Sequence, residues 1–153
     1  MKARWREIEA LYRADYPRFA RVAQAITWDA QTAAEAVQEG FADALRHAEQ
    51  WEGRGTLEGW VWRCVVNRAR KSRRPSEVAL LDGGEAVSAP DTELRSRLAA
   101  LPERQRLVVF LRYYADLSYR EIAATLEIQV GTVSATLNAA HASLRAALDE
   151  VNA

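Results

Sequence analysis

Trp60, Arg63, Asn67, Arg68 and Lys71 are separated mostly by steps of three and four residues. On a helix, such steps place side chains along one stripe. The residue types suit unpaired nucleic acid: cations hold phosphates, an indole offers a stacking surface, and an amide can read a base edge. Arg70, Arg73 and Arg74 thicken the positive cluster. Trp60 suits a core position equally well. Covalent chemistry has no comparable grouping, because no motif sets a Ser or Cys nucleophile beside a base. Cys64 is the only cysteine, and with His47 and His141 it falls short of a usual zinc ligand set. A buried structural thiol is expected there, with no cofactor and no enzymatic activity.

The elements that must carry this stripe are helical. In 153 residues there is room for one ordinary domain or two small ones. Hydrophobic residues make up 49% and charged residues 27%, the balance of a folded globular chain. Net charge is zero, but residues 1–75 hold 14 Lys and Arg against 10 acids, and residues 76–153 hold 7 against 11. The first half therefore carries +4 and the second −4, which concentrates any phosphate-binding capacity in the first. No apolar run approaches the ~20 residues needed to span a bilayer, and the charged start lacks a signal-peptide segment. These features predict a cytoplasmic protein without membrane insertion.

Apolar residues recur at helical spacing through Trp5, Ile8, Leu11 and Tyr12; Phe19, Val22 and Ile26; Ala33, Val37, Phe41, Ala44 and Leu45; and Leu57, Val61, Cys64 and Val65. Four helices before residue 75 are expected. Asp29 or Thr32 can cap the third and Thr56 the fourth, which follows the breakers Gly53 and Gly55. Residues 76–92, rich in Ser, Gly, Pro and acids, read as a flexible linker between domains at 1–75 and 93–153. Helical signal resumes at Leu94, and Pro102 suits the first turn of a new helix. Ser118 and Glu121 form a capping-box pattern before a short helix. A turn at Glu127–Val130 then leads into a longer helix with Val133, Leu137, Ala140, Leu144 and Leu148 on one face, completing a helix-turn-helix. The fold class is all-α, with two small helical domains.

Several segments together resemble the bacterial RNA polymerase sigma factors of the extracytoplasmic-function (ECF) group. Glu35-Ala36-Val37-Gln38-Glu39-Gly40-Phe41 is similar to the family's Asp-Leu-Val-Gln-Glu-x-Phe segment. Leu57-Glu58-Gly59-Trp60-Val61-Trp62-Arg63, followed by Asn67-Arg68-Ala69, is similar to Phe-x-x-Trp-Leu-x-Arg…Asn-x-Ala. Leu101-Pro102-Glu103-Arg104-Gln105-Arg106, Ser118-Tyr119-Arg120-Glu121-Ile122-Ala123 and Gly131-Thr132-Val133 resemble its second domain.

The resemblance implies a two-domain factor that directs core RNA polymerase to promoters and helps melt them. It implies that Glu35, Gln38, Glu39 and Asp43 dock on the beta-prime clamp helices. It assigns Arg54, in the loop Trp51–Thr56, together with Trp60, Arg63, Asn67, Arg68 and Lys71, to the minus-ten element and a flipped base. Capture of extruded bases offsets an unstacking cost of a few kcal/mol, so melting needs no ATP and no catalytic group. By the resemblance the linker acids Glu77, Asp82, Glu85 and Asp91 fall in a segment that passes through polymerase channels, while a merely soluble tether has the same composition. An anti-sigma partner that clamps both domains is a further implication.

The chain departs from the family in its second reading helix. Relatives place cations in a pattern such as Gly-Thr-Val-Lys-Ser-Arg-Leu, whereas no Lys or Arg occurs here from Ile128 through Leu144. Gln129, Thr132, Ser134, Thr136, Asn138 and His141 remain as candidate duplex contacts. Phosphate contacts dominate affinity, so weak duplex binding by this domain alone is expected, with minus-thirty-five recognition either weak or supported by tethering to the polymerase beta flap. The same neutrality is compatible with a polymerase-binding antagonist or adaptor, or with a domain turned into a protein-docking surface.

Overall fold

The computed structural model describes residues 2–72 and 96–152. The expected linker, 76–92, lies outside them. Helix α1 runs over Lys2–Thr27, α2 over Ala30–Arg46 and α3 over Leu57–Ser72, with a 3₁₀ turn at Ala48–Gln50. The two helices expected before residue 27 are thus one. Pro17 lies inside it, yet Ile8 and Phe19 are eleven residues apart, close to three full turns, so one apolar stripe continues past the proline. Pro17 itself is exposed, so the carbonyl that loses its partner is not sealed in the core.

Asp29 caps α2, accepting from the Thr32 backbone N–H at 2.9 Å. Thr56 caps α3, its hydroxyl accepting from the Gly59 N–H at 3.0 Å. The three helices bury Ile8, Phe19, Val22 and Ile26 of α1, Val37 and Phe41 of α2, and Val61, Trp62, Val65 and Val66 of α3. Trp62 is fully buried and stacks on Phe19, with centroids 3.8 Å apart and planes at 18°. Phe41 meets Phe19 edge-on at 4.8 Å. Gly40 lets α2 approach α3: a Cβ there would lie 2.6 Å from the Val65 Cα.

In the second half, residues 96–100 are helical. Helix α4 spans Glu103–Tyr113, α5 Tyr119–Leu126 and α6 Val130–Asn152. Pro102 occupies the N-cap of α4, one position before the first turn. The α5 capping box is complete, with the Glu121 N–H donating to Ser118 Oγ at 3.1 Å and the Ser118 N–H donating to Glu121 Oε1 at 3.0 Å. Glu127 ends α5 in the left-handed region, φ 57°. Leu107, Val108, Leu111, Leu117, Ile122, Val133, Leu137 and Ala140 form the core that joins α4, α5 and α6.

The halves pack together, α1 against α4 and α3 against α5. Arg106 of α4 anchors the junction. It is 8% exposed, its Nε donates to the Ala25 carbonyl of α1 at 3.2 Å and its guanidinium lies 4.8 Å from the Trp28 ring centroid. A second guanidinium nitrogen donates to the Leu101 carbonyl at 3.1 Å. A buried charge requires such donors' partners on every side.

Candidate nucleic-acid interface

Helix α3 positions the cationic stripe. Val61, Trp62, Val65, Val66 and Ala69 face inward, which turns Arg63, Asn67 and Lys71 away from the centre of the core. Trp60 is half-buried and packs against the core edge, whereas Trp62, outside the expected stripe, is the aromatic wholly inside. The periodicity accommodates either indole; the space opposite Phe19 selects Trp62.

Arg68 does not point freely outward. Its Nε donates to Asp43 Oδ2 at 2.5 Å and a terminal nitrogen donates to Asp43 Oδ1 at 2.9 Å. A further pair joins it to Glu39 at 3.4 Å, and Arg46 also bonds Asp43. The hydrogen bond from Arg68 and its charge outweigh partial burial and hold the Asp43 carboxyl below its ordinary value of 3.8. Residues assigned by resemblance to DNA and to polymerase are thereby joined in one α2–α3 clasp. Glu35 and Gln38 are exposed along α2 beside Glu39.

The loop before α3 holds Arg54 with its side chain 91% exposed, 3.8 Å from Glu52. Gly53 and Gly55 both have positive φ, 82° and 71°, which gives the loop its sharp course. Cys64, on the same helix, is a half-buried thiol pushed up to about 11 chiefly by burial, so its thiolate is scarce at neutral pH.

Across the junction, Arg63 donates to Glu127 Oε1 at 2.6 Å, and the Thr56 hydroxyl donates to Glu121 Oε2. Glu121 therefore spends one oxygen on its own helix cap and the other on the first half. Its burial alone would raise the carboxyl, but the bonds from Thr56 and Ser118 prevail and lower it from 4.5. Glu58, beside it, moves the other way, raised by burial and then by the charges of Asp15 and Glu121. None of Thr56, Glu121, Glu127, Trp28 or Arg106 was marked as a contact between halves by the sequence. The opposite net charges of the halves were the one signal that pointed there.

In the helix-turn-helix, Gln129 and Asn138 are exposed, while Thr132, Ser134, Thr136 and His141 are half-buried. The Tyr113 hydroxyl of α4 lies 2.8 Å from His141 Nε2. The α6 candidates thus occupy one helix of a bihelical unit, separate from the α3 stripe. Among the described residues no helix is long and apolar enough to cross a membrane.

Comparison with known proteins agrees with this two-part build. The family model for Sigma-70 region 2 matches residues 11–76, and that for Sigma-70 region 4 matches residues 91–144. The ECF RNA polymerase sigma-E factor of Escherichia coli is 33% identical over 123 residues, covering 65% of this chain and 64% of the relative. The ECF RNA polymerase sigma factor SigE of Mycolicibacterium smegmatis is 29% identical, covering 90% of this chain and 60% of the relative. The chain thus spans less than two thirds of the length of these curated relatives. Among solved structures, CnrH in complex with the cytosolic domain of CnrY shares the fold at a TM-score of 0.71 and 23% identity, over 95% of this chain and 89% of the other. The sigma factor RpoE in complex with the anti-sigma factor NepR from Bartonella quintana does so at 0.74 and 16%, over 94% and 97%. With the region 2 and region 4 models matched in order and ECF factors among its relatives, the chain belongs to the sigma-70 family, in its ECF group.

Proposed function

We propose that this protein is a promoter-specificity factor: it binds core RNA polymerase, recognises promoter DNA and stabilises the melted minus-ten segment. The observation that carries this reading is the α3 stripe, seated on a rigid three-helix platform in a chain that also holds a helix-turn-helix. Exposed Glu35, Gln38 and Glu39 form the polymerase-facing surface of α2. Arg63, Asn67, Lys71 and the Arg54 loop hold the single strand, with Trp60 at its edge as a stacking surface. Arg68 acts through Asp43, fixing α2 against α3. The factor works where polymerase works, in the cytoplasm, and contributes binding energy without a catalytic group.

A second reading is favoured by the neutral α6: a polymerase-binding antagonist or adaptor that starts no RNA. A partner of the anti-sigma kind, as in the RpoE–NepR complex, is compatible with both. Transcription of fragmented bacterial DNA by purified core polymerase, with and without the protein, separates them. RNA 5′ ends that appear only with the protein and share an upstream motif support the promoter-reading function; binding to core without new starts replaces it with the antagonist.

A further inference from the structure

The two halves leave a cleft of about 490 Å³ between α1 and the turn that joins α4 to α5, within the size range of small-ligand sites. Its two walls differ in character. Arg18 and Arg21 stand on the α1 side, three residues apart and so on one face of the helix. Neither forms an ion pair among the described residues. Arg21 places its guanidinium 5.6 Å from the Tyr114 ring centroid, and Tyr114 stacks in turn on Phe110 with centroids 5.1 Å apart. One of the two cations is thereby held in place before any ligand arrives.

The opposite wall presents Tyr113 and Asp116. Tyr113 is 60% exposed, more than any other large hydrophobic side chain among the described residues, yet its hydroxyl is held 2.8 Å from His141 Nε2. A ring that is both open and pinned offers a stacking surface. Asp116 fits its turn poorly. Its φ of 58° lies in the left-handed region, where an Asp usually serves by accepting from the backbone N–H two residues on. That N–H, of Ser118, donates instead to Glu121 Oε1, and the Asp116 carboxylate has no hydrogen-bond or ion-pair partner among the described residues. It also follows the C-terminal end of α4, where a negative charge is disfavoured. Donors brought by a ligand would relieve both deficits.

A cleft with cations on one wall and an open ring beside an unused acceptor on the other matches a ligand with phosphates at one end and a donor-bearing aromatic base at the other. Two guanidinium groups suit the oxygens of two linked phosphates. A carboxylate only accepts, so it selects a base edge with adjacent donors. Guanine sets its N1–H beside its N2 amino group, whereas adenine and cytosine set a lone pair beside theirs. We propose that this cleft binds a guanine nucleoside diphosphate: Arg18 and Arg21 take the phosphates, Tyr113 stacks the base, and Asp116 accepts from the base edge. The walls come from different halves, so the site needs the packing that Arg106 fixes through the Ala25 carbonyl. Neither wall shares a residue with the α3 stripe, and the site stands whether or not α3 reads promoters.

Isothermal titration calorimetry of the full chain with GDP, GMP, ADP and inorganic pyrophosphate tests the site. GDP should bind with a Kd of about 10–100 μM, and the other three at least about tenfold more weakly, the scale of losing one charge-assisted contact. Arg18→Gln should weaken GDP by about tenfold on the same scale. Asp116→Asn preserves shape and suits left-handed backbone; it should abolish the preference for GDP over ADP and leave pyrophosphate binding unchanged. No binding of GDP at about 1 mM overturns the proposal. So does equal affinity for GDP, ADP and pyrophosphate, the mark of an unselective arginine patch. GDP binding that survives both substitutions puts the nucleotide on another cationic surface, such as α3, and overturns it as well. Loss of pyrophosphate together with GDP in Asp116→Asn removes Asp116 from base recognition and overturns the guanine assignment.

Discussion

Helices α3 and α6 are the two elements proposed to meet DNA, and they are built in opposite ways. α3 carries Arg63, Arg68, Arg70 and Lys71 over an inward face that includes a fully buried tryptophan. α6 has no cation before Arg145, and His141, the one side chain near its middle able to gain a charge, is engaged by Tyr113 of α4. Electrostatic attraction to phosphate is therefore invested in the first domain. On the proposed function the second would reach DNA by shape, by neutral hydrogen bonds and by being held in place, because sequence-independent phosphate contacts supply most non-specific affinity.

The sharpest way to break this contrast is to remove the support of α3. Trp62→Ala empties the space against Phe19 and should cost about 3–5 kcal/mol, read as a lower midpoint in urea unfolding followed by far-UV circular dichroism. Loss of under about 1 kcal/mol would mean that the stripe does not depend on this platform.

A smaller effect should erase the contrast from the other side. Ser134→Lys with Thr136→Arg places on α6 the cations that relatives carry. Each new phosphate contact should steepen the dependence of log affinity on log salt by about 0.9 for duplex DNA. Titrations of the full chain at several salt concentrations measure the slope; an unchanged slope would show that α6 does not approach the duplex backbone.

The smallest effect concerns the clasp between α2 and α3. Because Arg68 holds Asp43 below 3.8, the stabilisation from this carboxylate is present above 3.8 and disappears as pH falls through the lowered value. Arg68→Gln should move the Asp43 titration back up towards 3.8, observed by NMR of the side-chain carboxyl. Little change in α3 amide signals above pH 5 would show that Arg68 does not fix α2 against α3. A titration that stays low in the variant would assign the shift to Arg46 instead.

Much of the architecture was legible from neighbours within about four residues along the chain. The Asp29 and Thr56 caps, the Ser118–Glu121 box and the apolar stripes are local, since a cap satisfies backbone donors of its own first turn and a stripe follows from helical periodicity. The order of motifs was enough to identify both regions. Local signals also misled: the apolar groups Trp5–Tyr12 and Phe19–Ile26 read as two helices, but the apolar face on either side of Pro17 keeps one register and α1 runs through it.

By itself, then, the sequence determined the all-α class, the two regions, the cationic α3 and the neutral α6, because each depends on composition or on spacing within one element. Tertiary structure decided which side chains meet: Arg68 with Asp43 across 25 residues, Arg63 with Glu127 across 64, Arg106 with the Ala25 carbonyl across 81. It also chose Trp62 over Trp60 for the core. Periodicity fixes the face of a helix but not its partner or its axial offset, and charges of opposite sign are numerous enough to pair in many ways. Only the packing of apolar faces sets those offsets and brings one guanidinium within reach of one carboxylate.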